Sequence, residues 1–79
     1  MSEIWNMTGA EFLRRLRRLG RGRGMAVRID PEHGKGSHGR IYYGSRSTTI
    51  PDLKRELGPG LLRALCRELE VDLHDLRRV

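Results

Sequence analysis

The sequence predicts an α+β domain in which a helix, a three-stranded antiparallel sheet and a second helix follow in order, with both helices on one face of the sheet. Three observations predict it. Leucine and phenylalanine recur at helical spacing near both ends of the chain, and residues 39–50 between them alternate with the period of two that a hairpin requires. Two amphipathic helices need an apolar surface, and the inward side of one sheet supplies it.

Residues 1–7 read as an N-terminal tail, with Ile4 and Trp5 available to cover an edge of the core. Thr8 is a good N-cap and Glu11 lies three residues on, which makes a capping box. Met7 and Phe12 fall at the positions of a hydrophobic staple. Phe12, Leu13, Leu16 and Leu19 then form an apolar stripe, and Arg14, Arg15, Arg17 and Arg18 fill the other face. Gly20 is expected to end the helix, leaving residues 21–24 as a flexible basic link.

Residues 26–30 alternate Val27 and Ile29 with Arg28, as a short strand does. Residues 31–36 read as a loop and residues 37–43 as the next strand. Gly44 and Ser45 suit a two-residue hairpin turn that starts with glycine. Residues 46–50 form the returning strand, which Pro51 stops. That turn fixes the register: Tyr43 faces Arg46, Ile41 faces Thr48, and Gly39 faces Ile50. Opposed residues share a face, so Ile41, Tyr43, Thr48 and Ile50 point inward. His38, Arg40 and Tyr42 then point outward, opposite Ser47 and Thr49.

Residues 52–57 read as a charged connection. Gly58 and Pro59 open the second helix, with proline suited to its first turn. Leu61, Leu62, Leu65 and Leu69 make its buried stripe and Val71 closes it. Asp72 followed by Asp75 caps a short helical turn over residues 72–79. The whole chain, residues 1–79, makes one domain, because 79 residues support only a thin core.

The formal net charge is +6, with sixteen Lys and Arg against ten Asp and Glu. That excess favours a polyanionic partner, either nucleic acid or an acidic protein, although a basic surface kept for solubility has the same composition. Cys66 is the single cysteine, which excludes an internal disulfide and fits a small core residue. No apolar run approaches the ~20 residues that span a bilayer, and residues 1–7 lack the pattern of a signal peptide. A cytoplasmic protein is expected. His33, His38, His74 and Cys66 show none of the close paired spacings of a zinc site, so neither a metal nor another cofactor is expected.

The residues with most chemistry are the run Gly34, Lys35, Gly36, Ser37, His38, Gly39, Arg40. Glycine permits close approach of a ligand to the backbone. Lysine and arginine attract phosphate, and histidine exchanges a proton near neutral pH. These are the parts of a small site for metal-independent RNA cleavage. A glycine-rich hairpin that merely holds a histidine has the same composition.

The run from Gly34 to Gly39, with Tyr42, Tyr43 and Gly44, then Thr48, Thr49, Ile50 and Pro51, then Gly58, Pro59, Gly60, Leu61, Leu62 and Arg63, resembles the HicA toxins of bacterial HicA–HicB toxin–antitoxin pairs. The resemblance spans about residues 8–71. It implies a fold like a double-stranded-RNA-binding domain. It implies an endoribonuclease that cleaves mRNA and is blocked by a HicB antitoxin, with the catalytic histidine falling on His38. Many relatives carry a histidine or bulkier residue where this chain has Gly39, which bears on substrate fit.

In this reading His38 is the general acid or base. Lys35 or Arg40 stabilises charge on the phosphate, while Gly36 and Ser37 offer backbone N–H groups or a hydroxyl to its oxygens. His33 is a candidate second acid or base. Arg28, Arg40 and Tyr42 hold the RNA backbone, Tyr42 by stacking on a base. Lys54 and Arg55 precede the second helix, where such RNA-binding domains meet phosphates. A binding module that holds RNA without chemistry remains the alternative. A DNA-binding regulator is disfavoured, since neither helix belongs to a helix-turn-helix pair.

Overall fold

A computed structural model describes residues 7–31 and 39–79. In chain order the elements are β1 (Met7–Thr8), α1 (Gly9–Arg23), β2 (Val27–Pro31), β3 (Gly39–Tyr43), β4 (Arg46–Ile50), β5 (Glu56–Leu57), α2 (Pro59–Leu69) and α3 (Leu73–Arg78). β2, β3 and β4 form an antiparallel sheet in that spatial order, and β1 pairs with β5 in a separate two-stranded ribbon. The architecture is therefore a small α+β one, with an N-terminal helix, a three-stranded sheet and C-terminal helices. Pro31, expected to open the loop over 31–36, is the last residue of β2, while the expected tail over residues 1–6, the rest of that loop at 32–36 and the strand start at 37–38 lie outside the described residues.

Thr8 caps α1 by accepting the Glu11 N–H on its hydroxyl oxygen at 3.1 Å. The reciprocal half of the capping box is replaced. Glu11 accepts instead from the guanidinium groups of Arg14 and Arg15, each at 2.6 Å. Both partners hold its carboxyl below the ordinary value of 4.5. Phe12 and Leu16 are wholly buried, as the stripe requires.

Gly20 does not end the helix. α1 runs on to Arg23 and stops at Gly24, whose φ of 70° is left-handed and whose N–H reaches the Gly20 carbonyl. Residues 21–23, expected in a link, are thus the last turn of the helix. Gly20 is needed for close approach instead. A Cβ there would lie 2.7 Å from the Met25 carbonyl oxygen and 2.8 Å from Val27 Cγ2. The missing side chain lets α1 sit directly on the entrance to β2.

The hairpin follows the expected register, with Tyr43 opposite Arg46, Ile41 opposite Thr48 and Gly39 opposite Ile50. Gly44 takes a φ of 61° at the turn, a left-handed conformation that a Cβ would strain. Ile41, Tyr43, Thr48 and Ile50 are buried, while Arg40 and Thr49 are exposed. Ile41, Tyr43 and Ile50 share one core with Phe12, Leu16 and Leu19 of α1 and Leu62, Leu65, Cys66 and Leu69 of α2. Burying each large apolar side chain fully contributes about 1.5–3 kcal/mol, so this layer holds the helices to the sheet.

Three further expectations are corrected. Met7 is not tail, because it pairs with Leu57 in the ribbon. The connection over residues 52–57 contains β5, and its Leu57 is wholly buried. Leu61 is not in the buried stripe of α2 and stays 38% exposed, while Cys66 takes an inward place. That leaves Leu62, Leu65, Cys66 and Leu69, the spacing that keeps one helical face. Burial pushes the Cys66 thiol up to about 11.

α2 ends at Glu70, which has a φ of 57°, and Val71 returns its N–H to the Cys66 carbonyl at 2.8 Å. Asp72 caps α3 by accepting the His74 N–H at 2.9 Å, and Leu76 is wholly buried. Arg15 ties α1 to this end of the chain, donating to the carbonyls of Leu76, Arg77 and Val79 at 3.4, 3.0 and 3.3 Å. Among the described residues no helix is long and apolar enough to cross a membrane.

Candidate nucleic-acid interface

The sheet has one face under the helices and one face without them. Side chains alternate along a strand, so β2 and β3 send every second residue to the uncovered side. Antiparallel pairing sets Arg28 opposite Tyr42 and Asp30 opposite Arg40, while β4 adds Ser47 opposite Tyr42 and Thr49 opposite Arg40. Six polar or aromatic side chains thus share one surface.

Arg28 lies over the Tyr42 ring, its guanidinium carbon 4.5 Å from the ring centroid. The contact is a cation–π pair, in which the negative ring face attracts the guanidinium. It leaves Tyr42 half-buried and presents a cation where an incoming base would meet the ring. Arg40 is held across the strand, donating to Thr49 Oγ1 and Ser47 Oγ, each at 3.0 Å. A guanidinium has five N–H donors. Two are used here, and no carboxylate pairs with Arg40 among the described residues. Its remaining donors are available to an anion, and the two hydroxyls fix the direction of the fork. Bidentate recognition of phosphate depends on such fixed geometry.

Of the expected site residues, the structure therefore brings Arg28, Arg40 and Tyr42 onto one surface. Lys54 and Arg55 are both exposed and sit on another element, the turn after β4. They precede α2 in the chain, with β5 between. Their turn is tied to α1 instead: the carbonyls of Leu53 and Arg55 accept the N–H groups of Ala10 and Gly9 at 2.9 and 3.1 Å. The first-turn donors of α1 are consumed there. The N-terminus of α2 has no side-chain cap. Lys35, Gly36, Ser37 and His38, with His33, lie outside the described residues. His38 directly precedes Gly39, the first residue of β3.

Sequence reasoning missed Asp30, which adds one negative charge to the surface. The signal was available, since pairing β2 with β3 puts residue 30 on the same side as residue 28. Compared with known proteins, the chain matches no family model, no curated protein and no solved structure.

Proposed function

We propose that this protein is a HicA-type toxin: a cytoplasmic, metal-independent endoribonuclease that cleaves mRNA and is inhibited by a HicB antitoxin protein. The observation that carries the reading is the uncovered sheet face, where Tyr42 and Arg40 stand on β3, the strand that follows His38 in sequence, and Arg28 stands beside them on β2. The helix–sheet–helix order supports a fold like a double-stranded-RNA-binding domain. The motifs that resemble the toxin family supply the chemistry.

In the proposed reaction His38 accepts the proton of a ribose 2′-hydroxyl. The oxygen attacks the neighbouring phosphorus, a new P–O2′ bond forms, and the bond from phosphorus to the 5′-oxygen breaks. The departing 5′-oxygen takes a proton from the imidazolium or from water. The products are a 2′,3′-cyclic phosphate and a 5′-hydroxyl, and nothing is oxidised or reduced. Arg40 or Lys35 offsets the charge gathering on the phosphate. Gly36 and Ser37 hold a phosphate oxygen, while Arg28, Tyr42, Lys54 and Arg55 bind the flanking strand. Positioned proton transfer contributes roughly 10²–10⁴-fold, so slow cleavage assisted by binding is expected, with His33 as the candidate second acid or base.

One observation favours a second reading. Arg28 and Arg40 suit phosphate and Tyr42 suits a base, with or without proton transfer beside them. A module that binds RNA without cutting it needs no more than this. Incubating the pure protein with an end-labelled transcript in the presence of a chelator separates the two. The toxin reading expects fragments ending in a cyclic phosphate. Salt-sensitive binding with an intact transcript would overturn it in favour of the binding module.

A further inference from the structure

The sheet has two edges, and they differ. β2 carries alternating charges in Arg28 and Asp30 and ends in Pro31, features that blunt an edge against further pairing. β4 reads Arg46, Ser47, Thr48, Thr49, Ile50 and has no proline or lysine. It is hydrogen-bonded to β3 on one side only. In a two-residue hairpin the residues flanking the turn exchange both backbone bonds, and such pairs alternate with unbonded ones. Arg46, Thr48 and Ile50 therefore bond to β3, and Ser47 and Thr49 turn their N–H and C=O groups outward. Among the described residues neither makes a backbone bond on that side.

Beside this edge lies an open groove of about 260 Å³ between β4 and α2, with Leu61, Ala64 and Leu65 on the helix and Thr48 and Thr49 on the strand. Leu61 is one of two large apolar side chains left exposed among the described residues. Arg40 also borders the groove and has no carboxylate partner among those residues. The Glu68 carboxylate is already engaged by the Thr48 hydroxyl.

We propose that the β4 edge and the adjoining α2 groove form a docking site for an extended segment of another protein, in which acidic and apolar residues alternate. The added strand would take the four outward backbone groups of Ser47 and Thr49. Its side chains would alternate between two surroundings. One set meets Leu61 and Ala64, which selects apolar residues. The other set meets Arg40, which selects carboxylates. Backbone bonds then supply affinity and the alternate pockets supply specificity, the pattern of strand addition. A second copy of this chain is the less favourable occupant, because each copy carries a net charge of +6 and like charges repel. The proposal does not depend on chemistry at His38.

The test uses the full chain and a blocked peptide of about eight residues, the length of an ordinary strand, alternating glutamate and valine. Amide hydrogen exchange is read residue by residue, and affinity by fluorescence anisotropy. The Ser47 and Thr49 amides are expected to slow by about tenfold or more on saturation, with smaller changes at Arg28 and Ile29. Leu61→Glu should weaken binding by about tenfold or more, and at the third position of α2 a glutamate suits the helix. Thr49→Pro removes one outward N–H at an edge position where proline is tolerated and should weaken binding similarly. A lysine–valine peptide should bind far less well. The proposal is overturned by no slowing at about 1 mM peptide, by equal binding of the lysine peptide, or by slowing confined to other elements. Protection of Ser47 and Thr49 that grows with protein concentration alone would overturn it in favour of a self-paired dimer.

Discussion

Gly20→Ala sets helix propensity against packing, and the structure says which wins. Alanine in a helix interior is favoured over glycine by about 1 kcal/mol. The new methyl group would lie 2.7 Å from the Met25 carbonyl oxygen and 2.8 Å from Val27 Cγ2. One of those atoms is backbone and cannot rotate away, so α1 must move off β2. Overpacking of this kind typically costs about 1–3 kcal/mol, and two contacts under 3 Å put Gly20 in the upper half of that range, about 2–3 kcal/mol, which leaves a net loss of about 1–2 kcal/mol. For a domain of this size that lowers Tm by roughly 4–16 °C. Gly22→Ala provides the opposite sign. Its added Cβ meets nothing within 4 Å, so it should gain up to about 1 kcal/mol from propensity alone. Urea melts followed by circular dichroism read both. A Gly20→Ala protein as stable as the parent, or a Gly22→Ala protein with unchanged stability, would refute the reasoning. The second result is what a flexible link over residues 21–24 would give.

Three further outcomes follow from the geometry. Cys66, with its thiol pushed up to about 11, should react with iodoacetamide at pH 8 roughly a hundredfold more slowly in the native protein than in the unfolded one, as read by mass spectrometry. Because the native state favours the neutral thiol, this contribution to stability is full below an unfolded value of about 8.5 and is lost as pH rises towards 11. Arg15→Met keeps the apolar stem but removes the bond to the Glu11 carboxylate and three bonds to the carbonyls of Leu76, Arg77 and Val79. It should cost about 1–2 kcal/mol, with amide exchange accelerated first in α3. Arg40→Ala should weaken RNA binding by about tenfold and lower the slope of log affinity against log salt by about 0.7, the value for one phosphate contact on a single strand. An unchanged slope would mean that Arg40 meets no phosphate.

The parts of the fold legible in the sequence are those whose geometry leaves few choices. Gly44 and Ser45 fix a two-residue turn, and from that turn the pairing of β3 with β4 follows residue by residue. The same period of two put Arg40 and Tyr42 on the uncovered side. Elements shorter than one period leave no such mark. β1 and β5 have two residues each, and nothing in their letters distinguishes them from a connection. Gly20 misleads because a glycine that ends a helix and a glycine that lets a strand approach look alike until the neighbouring strand is in place. Leu61 outweighs Cys66 in hydrophobicity, but the spacing of Leu62, Leu65 and Leu69 gives the inward position to residue 66. The placement of the described candidate residues was legible in the same measure. Strand residues were placed by alternation, whereas Lys54 and Arg55 were assigned by their distance along the chain to α2, and backbone bonds to Gly9 and Ala10 decided their position.

The account rests on His38 moving a proton while the arginine-bearing sheet face holds the strand. The direct measurement is single-turnover cleavage of a labelled transcript by the parental and His38→Ala proteins, with RNA affinity measured on the same samples. The account predicts that cleavage falls by about a hundredfold or more while affinity changes by no more than about threefold. Cleavage by His38→Ala at the parental rate would contradict it.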